Sequence, residues 1–201
     1  TYTVGTAWDA TLLIALVFVV LLIRTTATSK VASYVGIVLT TLLIVSVAWS
    51  SHAAALNATT GIVSDTLHLV GASVWVGILL VISFFAKDTN NWLAFLNWFT
   101  YTAVGCLAII GISGFMLMDI MVDGYINAWM IDYGQGLLMK HLLLVPIFLF
   151  AFANTAVSRF FLLRDKPFQP LPWIRFEAIL LSLIFIVTSA FSQQNPPHGA
   201  Y

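Results

Sequence analysis

The chain has 201 residues, of which 61% are hydrophobic and only 8% carry a full charge, with eight basic residues balancing eight acidic ones. A soluble domain needs roughly 25–35% charged residues on its surface, so this composition excludes an ordinary soluble enzyme and indicates an integral membrane protein. The length is that of a single domain. No basic stretch of the kind that binds nucleic acid is present, so no nucleic-acid partner is expected.

Six apolar segments follow one another along the chain, and each approaches or exceeds the roughly 20 residues that a membrane-spanning helix requires. The predicted helices cover residues 4–23, 33–51, 66–86, 93–118, 137–158 and 173–192. They predict an all-α membrane protein, a bundle of six transmembrane helices that forms one domain over residues 1–201. The short segment 53–64 is predicted as a loop that keeps the second and third helices adjacent and antiparallel.

The basic residues between these helices predict the orientation of the bundle. Seven of the eight fall on one side: Arg24, Lys30, Lys87, Arg159, Arg164, Lys166 and Arg175. The positive-inside rule assigns that side to the cytoplasm, so both termini are expected on the extracytoplasmic side of a membrane that the chain crosses several times. Glu177, one turn inside the sixth helix, is expected to pair with Arg159 or Arg175.

The candidate metal ligands all fall on the opposite, extracytoplasmic side. They are the four histidines and five methionines of the chain: His52, His68, His141, His198, Met116, Met118, Met121, Met130 and Met139. Imidazole and thioether are copper ligands, and the soft thioether favours Cu(I). A histidine inside a membrane is costly unless it has a function or a partner. The pattern predicts a copper site, for which Met116 and Met118 are the methionine candidates.

The stretch DTLHLVGASVWVG (residues 65–77) places His68 near the predicted start of the third helix. Asp65, three residues earlier, is placed to accept a hydrogen bond from the second ring nitrogen of the imidazole, as carboxylates behind metal ligands do. Trp75 follows His68 by seven residues and lies on the same helical face, where it either floors a cavity or packs in the bundle. His52, at the predicted end of the second helix, lies across the short loop from His68. The two histidines together are expected to supply half of the ligands of a metal site.

The remaining candidates have simpler alternatives. His141 adjoins Lys140, and neighbouring residues on a helix point about 100° apart, which makes His141 the weakest helical candidate. Lys140 either pairs with an aspartate or extends to the outer headgroups. His198 lies in the C-terminal tail, where a histidine equally well faces water. Methionine is also a common filler of helix interfaces.

Four segments in chain order resemble the copper resistance protein D (CopD) family: SSHAAA at 50–55, DTLHLVGASVWVG at 65–77, YGQGLLMK at 133–140 and NPPH at 195–198. The resemblance runs from about Ser50 to the C-terminus. It implies an inner-membrane protein that handles copper at its outer face, often described as importing copper with a periplasmic CopC-like partner. It points to three histidines as copper-handling positions: His52, His68 and His198. Three further residues accompany them in the motifs: Asp65, Trp75 and Lys140.

The predicted function is therefore copper binding at the extracytoplasmic face, as Cu(I) or Cu(II), for import or delivery across the membrane and without an enzymatic reaction. Two alternatives stay open. One is a structural or accessory subunit of a larger membrane complex, whose other subunits would be its partners. The other is a b-type haem protein or haem-linked oxidoreductase, with His68 and His141 as axial ligands. A two-haem electron path across the bilayer would need histidines on the inner side, and the sequence has none there.

Overall fold

A computed structural model of the chain describes residues 2–24, 30–86, 91–121, 132–164, 166 and 168–191. The secondary structure of these residues is helical, which confirms the all-α prediction. Seven helices cover them: α1 (Tyr2–Arg24), α2 (Lys30–Trp49), α3 (His52–Leu56), α4 (Ala58–Phe85), α5 (Trp92–Met121), α6 (Asp132–Leu162) and α7 (Leu171–Phe191).

Four of these helices contain segments that are long and apolar enough to cross a membrane. The segments are Lys30–Trp49, Ala58–Phe85, Trp92–Met121 and His141–Leu162, and α1 contributes a shorter apolar stretch, Asp9–Leu21. Large apolar side chains on several faces of these helices are exposed. Apolar residues around most of a helix are typical of a helix surrounded by lipid. The prediction of a membrane protein with several transmembrane helices is therefore confirmed.

The connection between α2 and α4 differs from the predicted loop over residues 53–64. Ser51 caps the short helix α3, because its hydroxyl accepts a hydrogen bond from the Ala54 amide at 3.3 Å. Asn57 then caps α4, because its Oδ1 accepts a hydrogen bond from the Thr60 amide at 3.2 Å. Side-chain oxygens at these positions satisfy amides that the first helical turn leaves unbonded. As a result, α4 begins eight residues before its predicted start.

The described residues form two compact units. The first contains α1, α2, α3, the part of α4 up to Val70 and the part of α5 from Gly111. The second contains the part of α4 from Gly71, the part of α5 up to Ile110, and the helices α6 and α7. Both α4 and α5 therefore contribute one segment to each unit.

In the first unit, α1 and α2 are joined by a hydrogen bond between side chains. Thr11 Oγ1 donates to Ser46 Oγ at 2.9 Å, and Ser46 Oγ donates in turn to the carbonyl of Leu43 at 3.0 Å. Ser46 is buried. The hydroxyl of Ser46 thus both accepts and donates in an apolar setting, where an unpaired hydroxyl would be costly.

The second unit has an aromatic and aliphatic core. The indole of Trp75 is buried and stacks on Phe148, with ring centroids 5.8 Å apart and an interplanar angle of 20°. A Cβ at Gly71 would lie 2.9 Å from Ile110 Cγ1 and 3.1 Å from the Cys106 carbonyl. The α4 and α5 segments of this unit therefore pack so closely that a Cβ at this position would force Ile110 to shift.

Candidate metal site

His68 is half-buried in α4 and contacts α5 within the first unit. Its Nδ1 lies 3.3 Å from the hydroxyl oxygen of Ser113, a side chain that is only 1% exposed. When Nδ1 carries the ring proton, it donates to this oxygen, and Nε2 is then the unprotonated ring nitrogen, the one that can ligate a metal ion. Ser113 is thus placed to orient the imidazole, and the orienting role that the sequence assigned to Asp65 stays a prediction.

The imidazole of His68 packs against α5 at Gly114. A Cβ built at Gly114 would lie 3.4 Å from His68 Cε1 and 3.5 Å from His68 Nδ1. These are ordinary van der Waals distances, so the imidazole packs directly against α5 at Gly114. Ser113 and Gly114 together fix the Nδ1–Cε1 edge of the imidazole on α5.

Two hydroxyls close to His68 in sequence are buried. Ser64 Oγ and Thr66 Oγ1 have no hydrogen-bond partner among the described residues, and Ser64 is 0% exposed. Ser64 precedes His68 by four residues, so both side chains lie on one face of α4. A buried hydroxyl without a partner costs about 1–3 kcal/mol. Such a group beside the imidazole is typical of a polar site that receives a water or an ion.

The other predicted histidines lie in different settings. His52 was predicted to end the second helix, but α2 ends at Trp49. His52 is instead the exposed first residue of α3. His141 lies in α6 and is exposed. His198 lies outside the described residues.

The two methionine candidates are half-buried in the segment of α5 that belongs to the first unit. Met118 follows Gly114 by four residues, which places it one turn farther along the face that contacts His68. Met116 follows Gly114 by two residues and therefore points about 200° away from it. The structure thus distinguishes two methionines that the sequence treated alike, and Met118 is the better placed.

The predicted companions are divided in the same way. Asp65 is half-buried one turn before His68. Trp75 is a core residue, stacked on Phe148, which favours the packing interpretation of this residue. The side chain of Lys140 lies outside what the structure describes. Within the described part of the chain, no three side chains of His, Cys, Asp or Glu come together in a group that holds a metal ion.

A second polar cluster lies in the second unit, between α6 and α7. Glu177 is only 3% exposed, and its Oε2 accepts a hydrogen bond from Asn154 Nδ2 at 3.1 Å. The hydroxyl of Ser158 donates to Asn154 Oδ1 at 3.3 Å. Asn154 and Ser158 lie one turn apart on α6, a spacing that places them on one face. The sequence shows that Asn154 and Ser158 share a helical face, but no local pattern shows that this face contacts Glu177.

The two arginines that were expected to pair with Glu177 bind elsewhere. Arg159 donates from a terminal nitrogen to the Thr100 hydroxyl at 3.2 Å, and Arg175 Nε donates to the Ser83 carbonyl at 3.0 Å. The prediction of an arginine–Glu177 pair is therefore wrong. A buried carboxyl in this unit is held by an amide, and both cations serve to hold helices together.

Comparison with known proteins shows that part of the chain matches a protein family. Residues 93–191 match the family model CopD, copper resistance protein D. The matched stretch includes nearly all of α5, α6 and α7, and so contains Ser113 and Met118, whereas His68 precedes it and His198 follows it. No curated protein and no solved structure matches the chain. The match over residues 93–191 confirms the resemblance inferred from the sequence motifs: this part of the chain is similar to the copper resistance protein D (CopD) family.

Proposed function

We propose that this protein binds copper at the extracytoplasmic face of the inner membrane and imports it or delivers it across that membrane. The match of residues 93–191 to a copper resistance family supports copper as the cargo. The observation that carries the proposal is the imidazole of His68, whose Nδ1 edge is held on α5 by Ser113 while the ring stays half-buried. A histidine oriented in this way within a membrane protein is typical of a metal ligand.

The proposed copper ligands are His68 Nε2, the thioether of Met118 and the imidazole of His52, with His198 as a further ligand from the tail. Nitrogen and thioether sulfur form a soft donor set, which favours Cu(I) over harder divalent ions. Because three His, Cys, Asp or Glu side chains do not meet among the described residues, a methionine ligand is the simplest completion of the site. The buried hydroxyl of Ser64 would bind a water next to the ion.

The proposed topology has six spans, with both termini outside the cytoplasm. The apolar stretch Asp9–Leu21 of α1 and the apolar helix α7 supply the two spans beyond the four long segments. In this arrangement the site faces the periplasm. A soluble periplasmic protein of the CopC type would then be the donor of copper, as the family resemblance implies, and lipid would surround the rest of the chain.

Metal analysis of the full chain, purified in detergent and supplied with Cu(I), tests the proposal. We expect copper near one ion per chain and no iron. His68→Ala is expected to abolish copper binding, and Met118→Ala is expected to weaken it at least tenfold, in line with the roughly 10–100-fold effects of altered metal surroundings. Met116→Ala is the matched control, since it removes the same side chain from the other face of α5 and is expected to bind copper normally.

Three results would contradict the proposal. Unchanged copper content in both His52→Ala and His68→Ala would eliminate the site. Iron near one per chain, with a haem absorption band, would instead indicate a haem protein with His68 and His141 as first candidates for axial ligands. A well-folded protein that holds neither metal would indicate an accessory subunit of a larger complex.

A further inference from the structure

A groove lies between the C-terminal end of α4 and the N-terminal half of α7, both in the second unit. Its volume is about 490 Å³, within the roughly 300–1,000 Å³ typical of sites that hold small ligands. Most of its lining is apolar: Leu80, Phe84, Ala178, Ile179 and Leu183. From Arg175 to Leu183, α7 advances by about 12 Å. The groove is therefore long enough to hold an extended stretch of acyl chain.

Arg175 stands at one end of this groove. Its Nε donates to the carbonyl of Ser83 at 3.0 Å, in the last turn of α4, where carbonyls lack a partner in a following turn. This contact fixes the guanidinium at the rim. The two terminal nitrogens of Arg175 have no hydrogen-bond partner among the described residues, and no other described residue that lines the groove carries a charge.

The depth of Arg175 agrees with the position of a lipid headgroup. Trp173, two residues earlier on α7, is 48% exposed, and tryptophan is enriched where a membrane meets water. Because α4 ends at Phe85 and α7 begins at Leu171, the chain leaves the apolar layer near Arg175 in the proposed topology. The apolar lining then extends from the headgroup level towards the membrane interior.

We infer that this groove binds one anionic phospholipid, with its phosphate on Arg175 and one acyl chain along α7. A guanidinium forms two parallel hydrogen bonds with a phosphate, which gives both affinity and orientation. Basic pockets between spanning helices bind anionic headgroups in this way. A zwitterionic lipid has the same phosphate but adds a cationic group, so it binds this isolated arginine less strongly.

The test uses the full chain, purified in mild detergent and stripped of lipid, then titrated with phosphatidylglycerol or phosphatidylcholine. Native mass spectrometry counts the lipids bound per chain. We expect one phosphatidylglycerol, bound more tightly than phosphatidylcholine. Arg175→Gln should weaken the binding of phosphatidylglycerol about fivefold or more, which is the contribution of a single basic side chain near a membrane surface. Arg164→Gln is the control, because Arg164 is exposed, lies over the Phe160 ring and does not line the groove.

A second variant tests the groove itself. Ser182→Phe fills the groove from the α7 side while leaving Arg175 in place, and it should reduce the binding of phosphatidylglycerol. Unchanged binding in this variant would mean that the lipid does not use the groove. Equal loss in the Arg164 and Arg175 variants would indicate diffuse surface charge, and equal affinity for both lipids would indicate an acyl chain without headgroup recognition. Each of these results overturns the inference.

If Arg175→Gln does not fold, Arg175→Lys replaces it. Lysine keeps the charge but not the two-pronged geometry, so phosphatidylglycerol should still bind more tightly than phosphatidylcholine, yet less tightly than to the native protein. Binding of the lysine variant with no preference between the two lipids would also overturn the inference.

Discussion

Gly61 controls how closely α3 approaches the first turn of α4, and its replacement by alanine gives a sharp prediction. A Cβ at this position would collide with the carbonyl group of Ala53 and would lie 2.7 Å from the amide nitrogen of Ala54. Ordinary contacts begin near 3.4 Å, so α3 has to move by at least about 0.7 Å. Because the obstructing atoms are backbone, no side chain can rotate away to relieve the collision.

The expected cost follows from two opposing terms. Overpacking of this kind costs about 1–3 kcal/mol, and a backbone collision belongs at the upper end of that range. Alanine recovers roughly 1 kcal/mol, because it favours a helix more than glycine does. We expect Gly61→Ala to lower the free energy of unfolding by about 2 kcal/mol. Since α3 begins with His52, the same shift is expected to weaken copper binding.

The measurement is a titration with sodium dodecyl sulfate in mixed micelles, followed by circular dichroism. Gly77→Ala is the matched control on the same helix, because a Cβ there meets no described atom within 4 Å. This control is expected to be as stable as the native protein, or more stable by up to about 1 kcal/mol. If Gly61→Ala is as stable as Gly77→Ala and binds copper normally, the close approach of α3 to α4 is not a constraint and the reasoning is refuted.

Three further predictions concern contacts inside the membrane. Ser113→Ala removes the hydroxyl that contacts His68 Nδ1 and should weaken copper binding about 10–100-fold, with full occupancy restored at a high copper concentration. An unchanged dissociation constant for copper would argue against the orienting role of Ser113. Asn154→Leu deprives the buried carboxyl of Glu177 of its donor and should cost about 1–3 kcal/mol of unfolding free energy. Replacing both residues by leucine should recover most of that loss, and a double variant no more stable than the single one would contradict the pairing. Cys106 is buried, so N-ethylmaleimide should label it only after denaturation in dodecyl sulfate; rapid labelling in mild detergent would show that this core is open.

The four long apolar segments were predictable because they depend on composition, which is local. The fourth predicted helix, residues 93–118, differs from α5 by one residue at its start and three at its end. The start of α4 was missed because residues 57–64, NATTGIVS, contain small and polar residues that suit a loop equally well. Only the structure shows that Asn57 serves as a cap, with its side chain bonded to the Thr60 amide.

The position of His68 in the candidate site was predictable, but the surroundings of this side chain were not. His68 was identifiable because an imidazole within an apolar run is rare and costly. Its partner Ser113 lies 45 residues away, and only the packing of α4 on α5 brings the two together. The expected partner of Glu177 was chosen by charge, yet Asn154 holds the carboxyl. Charge alone failed here because helix-end carbonyls and hydroxyls compete for arginines.

The hydrogen bond between Thr11 and Ser46 has a consequence for how the α1–α2 hairpin can change during evolution. Losing one hydroxyl removes the hydrogen bond that joins α1 to α2, whereas replacing both by apolar groups of similar shape is nearly neutral. Positions 11 and 46 are therefore expected to vary together among relatives, as two hydroxyl residues or as two aliphatic ones. Mixed pairs should be rare, and an alignment of relatives in which they are common would show that the two positions change independently.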